Sequence, residues 1–458
     1  MNRKIWMSVS LLVVMSLVLA ACGTPATEAP PAPAATEAPA VAPTSEAPAP
    51  AMDVPLRWRT RPDNQEEIDV YSQISDQLDD QLEGITLTYE PGGTEGTNYQ
   101  EQLRAEVAAG TAPDVFWIPG TDVADFGTRG LILNFADLAS ATDGFDAAAF
   151  YPGPMFHLSY NPETGASGAD SGALWGLPRD VSTFALYLNL DLIEEAGAPD
   201  PRELAQEGKW DWDAFLDVAQ KTRALGSDIY GYGASAWWGP YGVWLNAAGG
   251  GFFTPERDAC ALSTPESLAG LDFQRSLYQD FDVATPYGED PEPPFRAGKV
   301  AMFQNGRWAT PGVRTVTFNW DVVELPKGPQ GTMGNWLFWG AYVINAKTEH
   351  PAEAWQLVQA LTTAQTQGQV AALGANIPSR VSQEAFDAFL TFTPPANNQA
   401  FLNGLADNPA TEGPLWAGSW PEYDKIMGPA IQAVLTGGLT VEEFGATICD
   451  QANKVFTQ

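Results

Sequence analysis

The chain predicts an α/β fold, and three observations carry that prediction. Strand-like and helix-like segments alternate from residue 54 onward, as a parallel α/β layer requires. The 458 residues are 45% hydrophobic, enough for the cores of two or three ordinary domains. The apolar run Phe184 to Leu188 follows Pro178 and the polar pair Arg179-Asp180. It reads either as a strand entering a second sheet or as an ordinary β-turn-β connection inside one domain.

Taken in order, Val54 to Thr60 is strand-like, and Asp63 then caps a helix with Ile68, Ile74, Leu78 and Leu82 on its inner side. Ile85 to Tyr89 alternates as a strand. A helix with Leu103 and Val107 one turn apart stops at Gly110, and Pro113 to Ile118 is a buried strand. Ligands of parallel sheets collect beyond the carboxyl ends of strands, so the segments after Trp58 and after Phe116 are candidate contact regions. After Phe184–Leu188, the spacing of Leu190, Ile193 and Glu194 is helical, with Gly197 as C-cap. Phe215, Val218 and Ala219 face inwards on a helix from Asp211 to Leu225. Ile229 to Ser235 is a strand running into Trp237-Trp238-Gly-Pro-Tyr241 and Trp244. A helix spans Ser263 to Asp280, and strands are expected at Val300–Phe303, Trp320–Leu325 and Ala341–Ile344. Past residue 350 the pattern is mostly helical, with starts near His350 and Thr440. No internal repeat and no second linker occur, so a second domain must be built from interleaved segments.

The first 21 residues read as an export signal. Arg3 and Lys4 precede an apolar stretch from Ile5 to Val18, and small residues follow at a cut site. Leu19-Ala-Ala-Cys22 resembles the bacterial lipoprotein box, which implies a diacylglyceryl thioether on Cys22, usually with an N-acyl chain as well. Several acyl chains together make a durable membrane anchor. Residues 22–52 are rich in Pro, Ala, Thr and Glu, with almost nothing large and apolar to offset ordering entropy. They read as a disordered tether that reaches at most roughly 90 Å at polyproline rise.

With 57 acidic and 23 basic residues, the net charge of −34 argues against nucleic acid and against peripheral docking on anionic lipid. A cationic solute is compatible with it, and so is plain solubility. Beyond Cys22 only Cys260 and Cys449 remain. An exported chain can pair them, but Cys449 also shares a helical face with Phe444, Ile448 and Val455, as a core thiol would.

Tryptophan is abundant, 16 residues, and several sit at strand ends or beside Gly and Pro. Trp117, Trp237, Trp238, Trp308, Trp336, Trp339, Trp416 and Trp420 are the group that favours a lined cleft. A flat indole suits the C–H face of a sugar while nearby carboxylates and amides bond its hydroxyls. Asp122, Asp180, Asn305 and Glu422 are polar companions on the same loops. Catalytic machinery is thin: the two histidines, His157 and His350, have no group placed to orient them. No nucleophile elbow, P-loop, dinucleotide fingerprint or zincin motif occurs, and the Cys spacing fits no metal site.

An ordered set of motifs then carries a resemblance. It comprises Thr111-Ala-Pro-Asp-Val-Phe116, Trp175-Gly-Leu-Pro-Arg-Asp180, Leu186-Tyr-Leu-Asn-Leu-Asp-Leu192, Lys209-Trp-Asp-Trp-Asp-Ala-Phe215, Phe295-Arg-Ala-Gly-Lys-Val-Ala-Met302 and Glu349-His-Pro-Ala-Glu-Ala-Trp355. From residue 54 on, the chain resembles the family 1 extracellular solute-binding proteins, the maltodextrin-type sugar receptors of ABC importers. The resemblance implies a class II periplasmic-binding-protein-like architecture: two α/β lobes, joined by hinge strands, with a ligand cleft between them. Lobe 1 would take 53–180 with about 330–395, and lobe 2 would take 181–329 with about 396–458. Phe184–Leu188 then becomes the first hinge crossing.

Carried over motif by motif, Trp117, Tyr241, Trp308 and Trp420 (or Tyr423) match stacking aromatics, with Asp122, Asp180 and Ser182 as polar contacts. Trp238 and Asn305 join the candidate set from the same loops. Trp336 and Trp339 stand in a segment commonly rich in Gly and Ser in the family, and their bulk would shorten the cleft. The expected function is a lipid-anchored, extracytoplasmic receptor that hands a sugar or short oligosaccharide to the permease subunits of an ABC importer. It would be a monomer without catalysis, cofactor or metal, touching the membrane only through its anchor. The rivals are a receptor for a polyamine or other small cation and a secreted carbohydrate-active enzyme.

Overall fold

In the computed structural model, residues 53–62, 65–93, 99–374, 376–406 and 410–457 are described. The export segment, Cys22, the tether and the helix cap expected at Asp63 lie outside them. Eleven strands form among the described residues: β1 (Val54–Arg59), β2 (Ile85–Tyr89), β3 (Val115–Pro119), β4 (Leu177–Ser182), β5 (Phe184–Asn189), β6 (Tyr230–Ala234), β7 (Val300–Gly306), β8 (Trp320–Val323), β9 (Trp336–Ile344), β10 (Ile377–Pro378) and β11 (Ala410–Thr411). They make two sheets. The first runs β10-β4-β9-β3-β1-β2, with β11 pairing to β9; the second runs β6-β7-β5-β8.

In the first sheet β1 lies parallel to both β2 and β3. The crossovers are the helices Gln65–Gln81 and Tyr99–Ala109. The first of these buries Tyr71, Ile74 and Leu78, one stripe at helical spacing. Its Ser75 hydroxyl accepts the indole N–H of buried Trp58 at 3.0 Å. The second ends at Gly110, whose φ of +74° suits a residue without Cβ.

Two of the strands that differ from the sequence expectation bear on the site. The Pro178–Asp180 elbow is part of β4, a strand buried along its whole length between β9 and β10. Pro178 is tolerated there because the register with β9 shifts between Pro178 and Asp180, so a ladder donor is not required of it. The polar pair is tolerated because Arg179 Nη2 meets Asp180 at 2.7 Å. Strand β9 begins at Trp336, five residues earlier than the expected Ala341. It is buried at every position because it pairs with β3 on one side and β4 on the other.

The second sheet carries helices with well-made starts. Asp211 accepts from the Ala214 N–H, and Thr264 accepts from that of Ser267. Thr440 and Glu443 form a reciprocal capping box at the helix Val441–Ala452. Phe215, Tyr232, Trp244, Leu271 and Leu277 fill its core. Cys260 and Cys449 are joined by a disulfide with Cα atoms 5.3 Å apart. It ties a loop of the second sheet's layer to that C-terminal helix.

Only Thr183 separates β4 in one sheet from β5 in the other. Asn335, just before β9, clamps this crossing. Its side-chain oxygen accepts from the N–H groups of Phe184 (3.0 Å) and Trp336 (2.8 Å), and its amide donates to the Phe184 carbonyl at 2.9 Å. All three backbone groups are buried, so Asn335→Ala would leave them without partners. Urea unfolding should show a loss of about 2–3 kcal/mol. A loss below about 0.5 kcal/mol would mean that the clamp is dispensable.

Candidate functional site

A cavity of about 140 Å³ opens where the two sheets face each other. From the first sheet come Arg61, just beyond β1, Trp117, Pro119 and Thr121 at the end of β3, and Arg179, Asp180 and Ser182 from β4. Phe338, Trp339 and Gly340 of β9 form its floor, with Asn376 and Glu412 beside them. Trp237, Trp238 and Trp308 close it from the second sheet's side. The volume is below the ~300–1,000 Å³ of drug-sized pockets, so it suits a compact solute.

The indoles are set in place by glycines. A Cβ added to Gly340 would fall 2.1 Å from the Trp117 ring, and one on Gly120 would fall 2.6 Å from Trp339. Gly306 stands in the same relation to Trp308 (2.2 Å), and Gly239 to Trp237 (2.5 Å). Each ring therefore lies against bare backbone, which fixes its plane without a competing side chain. Trp308 also packs edge-on to Phe184 and Phe338, with centroids 5.9 and 5.5 Å apart.

Trp117 is occupied differently from the stacking role expected of it. The guanidinium carbons of Arg61 and Arg179 lie 4.7 and 4.9 Å from its ring centre. Trp339 gives its backbone N–H to the Glu412 carboxylate at 3.0 Å and its indole N–H to the Glu412 carbonyl. The Ser182 hydroxyl accepts the Arg307 backbone N–H at 3.1 Å. The polar wall is thus extensively cross-bonded before any solute arrives.

Of the sequence candidates, the structure brings Trp117, Asp180, Ser182, Trp238, Trp308 and Trp339 to the cavity. The other five stand away from it, each for a packing reason. Asp122 is buried against Arg104 at 2.8 Å, and burial pushes its carboxyl up to about 6 despite that partner. Asn305 turns back to accept its neighbour's N–H, that of Gly306, at 2.8 Å. The Tyr241 hydroxyl bonds that of Tyr287. Trp336 is buried and donates to the Gly239 carbonyl at 3.0 Å. Trp420 packs on Trp238, and Tyr423 behind it donates to the Phe252 carbonyl at 2.7 Å. Glu422 is exposed beside Lys425.

Comparison with known proteins places this geometry in a family. The model of the family described as bacterial extracellular solute-binding protein matches residues 73–391. The chain belongs to that family. A binding protein of Brucella abortus is 24% identical to this solute-binding protein over 376 residues, 80% of this chain and 85% of the other. The galactooligosaccharide-binding protein of Bacillus subtilis is 24% identical over 353 residues, covering 74% and 75%. Among solved structures, an ABC substrate-binding protein of Listeria monocytogenes in complex with cycloalternan superposes with a TM-score of 0.77 at 17% identity, covering 88% of this chain and 99% of that one. The two-lobed class II fold expected from the sequence is the fold of these neighbours.

Several cavity residues of the solute-binding protein escaped the sequence reading. Arg61 lies in the segment after Trp58 that the topology had marked, but no motif singled it out. Arg179 read as part of an elbow. Asn376 and Glu412 carry no local signal, because only the pairing of β10 with β4 and of β11 with β9 brings their segments to the site.

Beside the cavity, and sharing Thr121, Trp238 and Glu412 with it, lies a smaller pocket that includes Arg257. Arg257 Nη1 is 3.3 Å from His157 Nε2, and the His157 ring is parallel to Trp339 at 6.3 Å. Burial, reinforced by the Arg257 charge, pushes the imidazole down to about 3. A histidine depressed in the folded state gains a proton on unfolding at any pH between about 3 and its ordinary value near 6.5. Its contribution is therefore complete above that ordinary value and is lost as pH falls towards 3. Between pH 7 and pH 5 the protein should lose about 1–2 kcal/mol more than a His157→Gln variant does, measured by urea unfolding. Identical pH dependence in the two would place the proton elsewhere.

Proposed function

We propose that this protein is the substrate-binding receptor of an ABC importer, that its solute is a sugar or short oligosaccharide, and that it passes the sugar to the membrane permease. The single observation that carries this is the cavity between the two sheets, walled by Trp237, Trp238, Trp308, Phe338 and Trp339 with bonded polar groups between the rings. Aromatic planes beside fixed hydrogen-bonding groups match the mixed C–H and hydroxyl surface of a sugar ring. The names of relatives add support: one is a galactooligosaccharide-binding protein, and one was solved with cycloalternan. The modest cavity favours one or two rings over a long chain.

The lobes are taken as 53–180 with about 330–395 and 181–329 with about 396–458. Contacts from both are complete only when they close, so the sugar shifts the open–closed population. A micromolar complex corresponds to about −8 kcal/mol. Export through residues 1–21, acylation at Cys22 and the tether at 22–52 would hold a monomeric receptor on the extracytoplasmic face of the membrane. No metal-ligating cluster occurs among the described residues. Arg61 and Arg179 on the wall balance the charges of Asp180 and Glu412, so the cavity offers a polyamine no excess of negative charge.

Calorimetry with a panel of mono- and disaccharides, alongside putrescine and spermidine, tests the proposal. Saturable binding of a sugar and none of either amine is the expected result. Binding of an amine alone would reverse it, and steady release of reducing ends from an oligosaccharide would reassign the protein as an enzyme.

A further inference from the structure

Much of the cavity wall is apolar or already has its hydrogen bonds made within the protein, and its buried unpartnered atoms are donors. Among the buried side-chain atoms of the residues that line it, Trp117 Nε1, Arg179 Nη1 and Asn376 Nδ2 have no hydrogen-bond partner. All three are N–H donors. Their residues are 4%, 8% and 6% exposed, so water reaches them poorly. Of the two carboxylates, Asp180 is paired with Arg179 at 2.7 Å, and Glu412 accepts the Trp339 N–H at 3.0 Å. Arg61 adds a second guanidinium on the same side, laid against Trp117 at 4.7 Å. In a chain with 57 acidic and only 23 basic residues, two arginines beside one cavity indole are a concentrated use of scarce positive charge.

A neutral sugar hydroxyl both donates and accepts, whereas the three buried unpartnered atoms ask only for an acceptor. A group that only accepts, with several oxygens and negative charge, matches donors of this kind best. We infer that the sugar taken by this site carries an anionic group, a carboxylate or a phosphate, seated against Arg61, Trp117, Arg179 and Asn376. The inference rests on the sugar-receptor reading above and narrows it. The ring's C–H face then lies towards Trp308 and Trp339, while the charged end faces Arg61 beyond β1 and Arg179 of β4. An isolated anion would be costly to dehydrate in such a place, and the guanidinium groups offset that cost.

The test is calorimetry on the full folded chain with D-galacturonate and D-glucuronate, the neutral parents D-galactose and D-glucose, and D-glucose 6-phosphate. At least a tenfold preference for a uronate over its parent supports the carboxylate form. The same preference for the phosphate ester supports the phosphate form. Equal or tighter binding of the neutral parents overturns the inference and leaves the sugar receptor standing. Binding of none of these sugars or of their short oligomers overturns the receptor reading as well. Arg61→Met keeps an unbranched stem on Trp117 but removes the charge, and it should cut the preference for the acidic sugar over its neutral parent at least tenfold. Asn376→Asp, nearly isosteric, replaces a donor by a negative acceptor and should also abolish the preference. If both variants fold, as read by thermal unfolding, and both keep the parent's preference, the anionic group is not seated where we place it.

Discussion

Replacing both Cys260 and Cys449 by Ser is expected to lower the unfolding free energy of the ligand-free protein by about 2–5 kcal/mol. The disulfide spans 189 residues of sequence, and in the chain-entropy picture so long a closed loop removes on the order of 5 kcal/mol from the freedom of the unfolded chain. It also has a local task. Phe253 and Cys260 pair across a short hairpin, and the Thr254 N–H donates to the Ala259 carbonyl at 3.0 Å. The hairpin presents Arg257, itself at φ +58°, to His157 across the small pocket. Beside the disulfide, that hairpin is held by the Cys260 N–H bond to Asn453 at 2.8 Å and by Phe253 packed on Tyr423 at 4.6 Å. Urea unfolding of the double variant measures the effect. A change under about 0.5 kcal/mol would mean that the unfolded chain is as restricted without the bond as with it.

The second large effect is on binding. Trp308→Ala should weaken the complex with the best sugar of the screen at least tenfold, about 1.4 kcal/mol or more, with the fold intact. Trp308 is half-buried, its plane set by Gly306 and its edges by Phe184 and Phe338, and its remaining surface belongs to the cavity. Trp420→Ala is the contrasting case. That ring is buried among Trp238, Phe252 and Phe253, so its loss should cost stability, about 3–5 kcal/mol, as a core deletion does. The pair separates wall from core: parental affinity in Trp308→Ala would remove that ring from the site. Thermal unfolding of each variant, run beside the titrations, shows which effect dominates.

The alternation of strands and helices was legible because both periods are strong in this sequence. β2 spans the five residues its pattern indicates, Ile85–Tyr89, and the helix Trp212–Arg223 starts one residue after its cap, Asp211. The general position of the cavity was legible too, from the rule that places ligands past strand ends: Arg61 follows β1, and Trp117 to Thr121 end β3. What the sequence hides is which way an aromatic residue goes. In Asn305-Gly-Arg-Trp308 the indole reaches the cavity, while Arg307 is fully buried among Phe389, Phe392 and Phe401, at 4.8, 5.4 and 5.2 Å. Burial there pushes the guanidinium down to about 10. Nothing local tells those two neighbours apart. Trp336 and Trp339 sit on opposite faces of one strand, and Trp339 reaches the cavity while Trp336 is packed under Trp238 and against Gly242. Glu412 and Asn376 were hidden for another reason: their positions depend on pairings between segments far apart in the chain.

A larger apolar groove also exists on the first sheet's side, lined by Phe145, Phe150, Met155 and the exposed Phe156, well separated in sequence from the strand ends that form the cavity. It gives the account a specific alternative to be measured against. The decisive experiment is a crystal structure of the protein grown with the tightest-binding sugar of the screen. The account predicts the sugar between Trp308 and Trp339 on one side and Arg61 with Arg179 on the other, in contact with residues of both sheets. A sugar seated in the groove at Phe156, or one touching residues of a single sheet only, would contradict it.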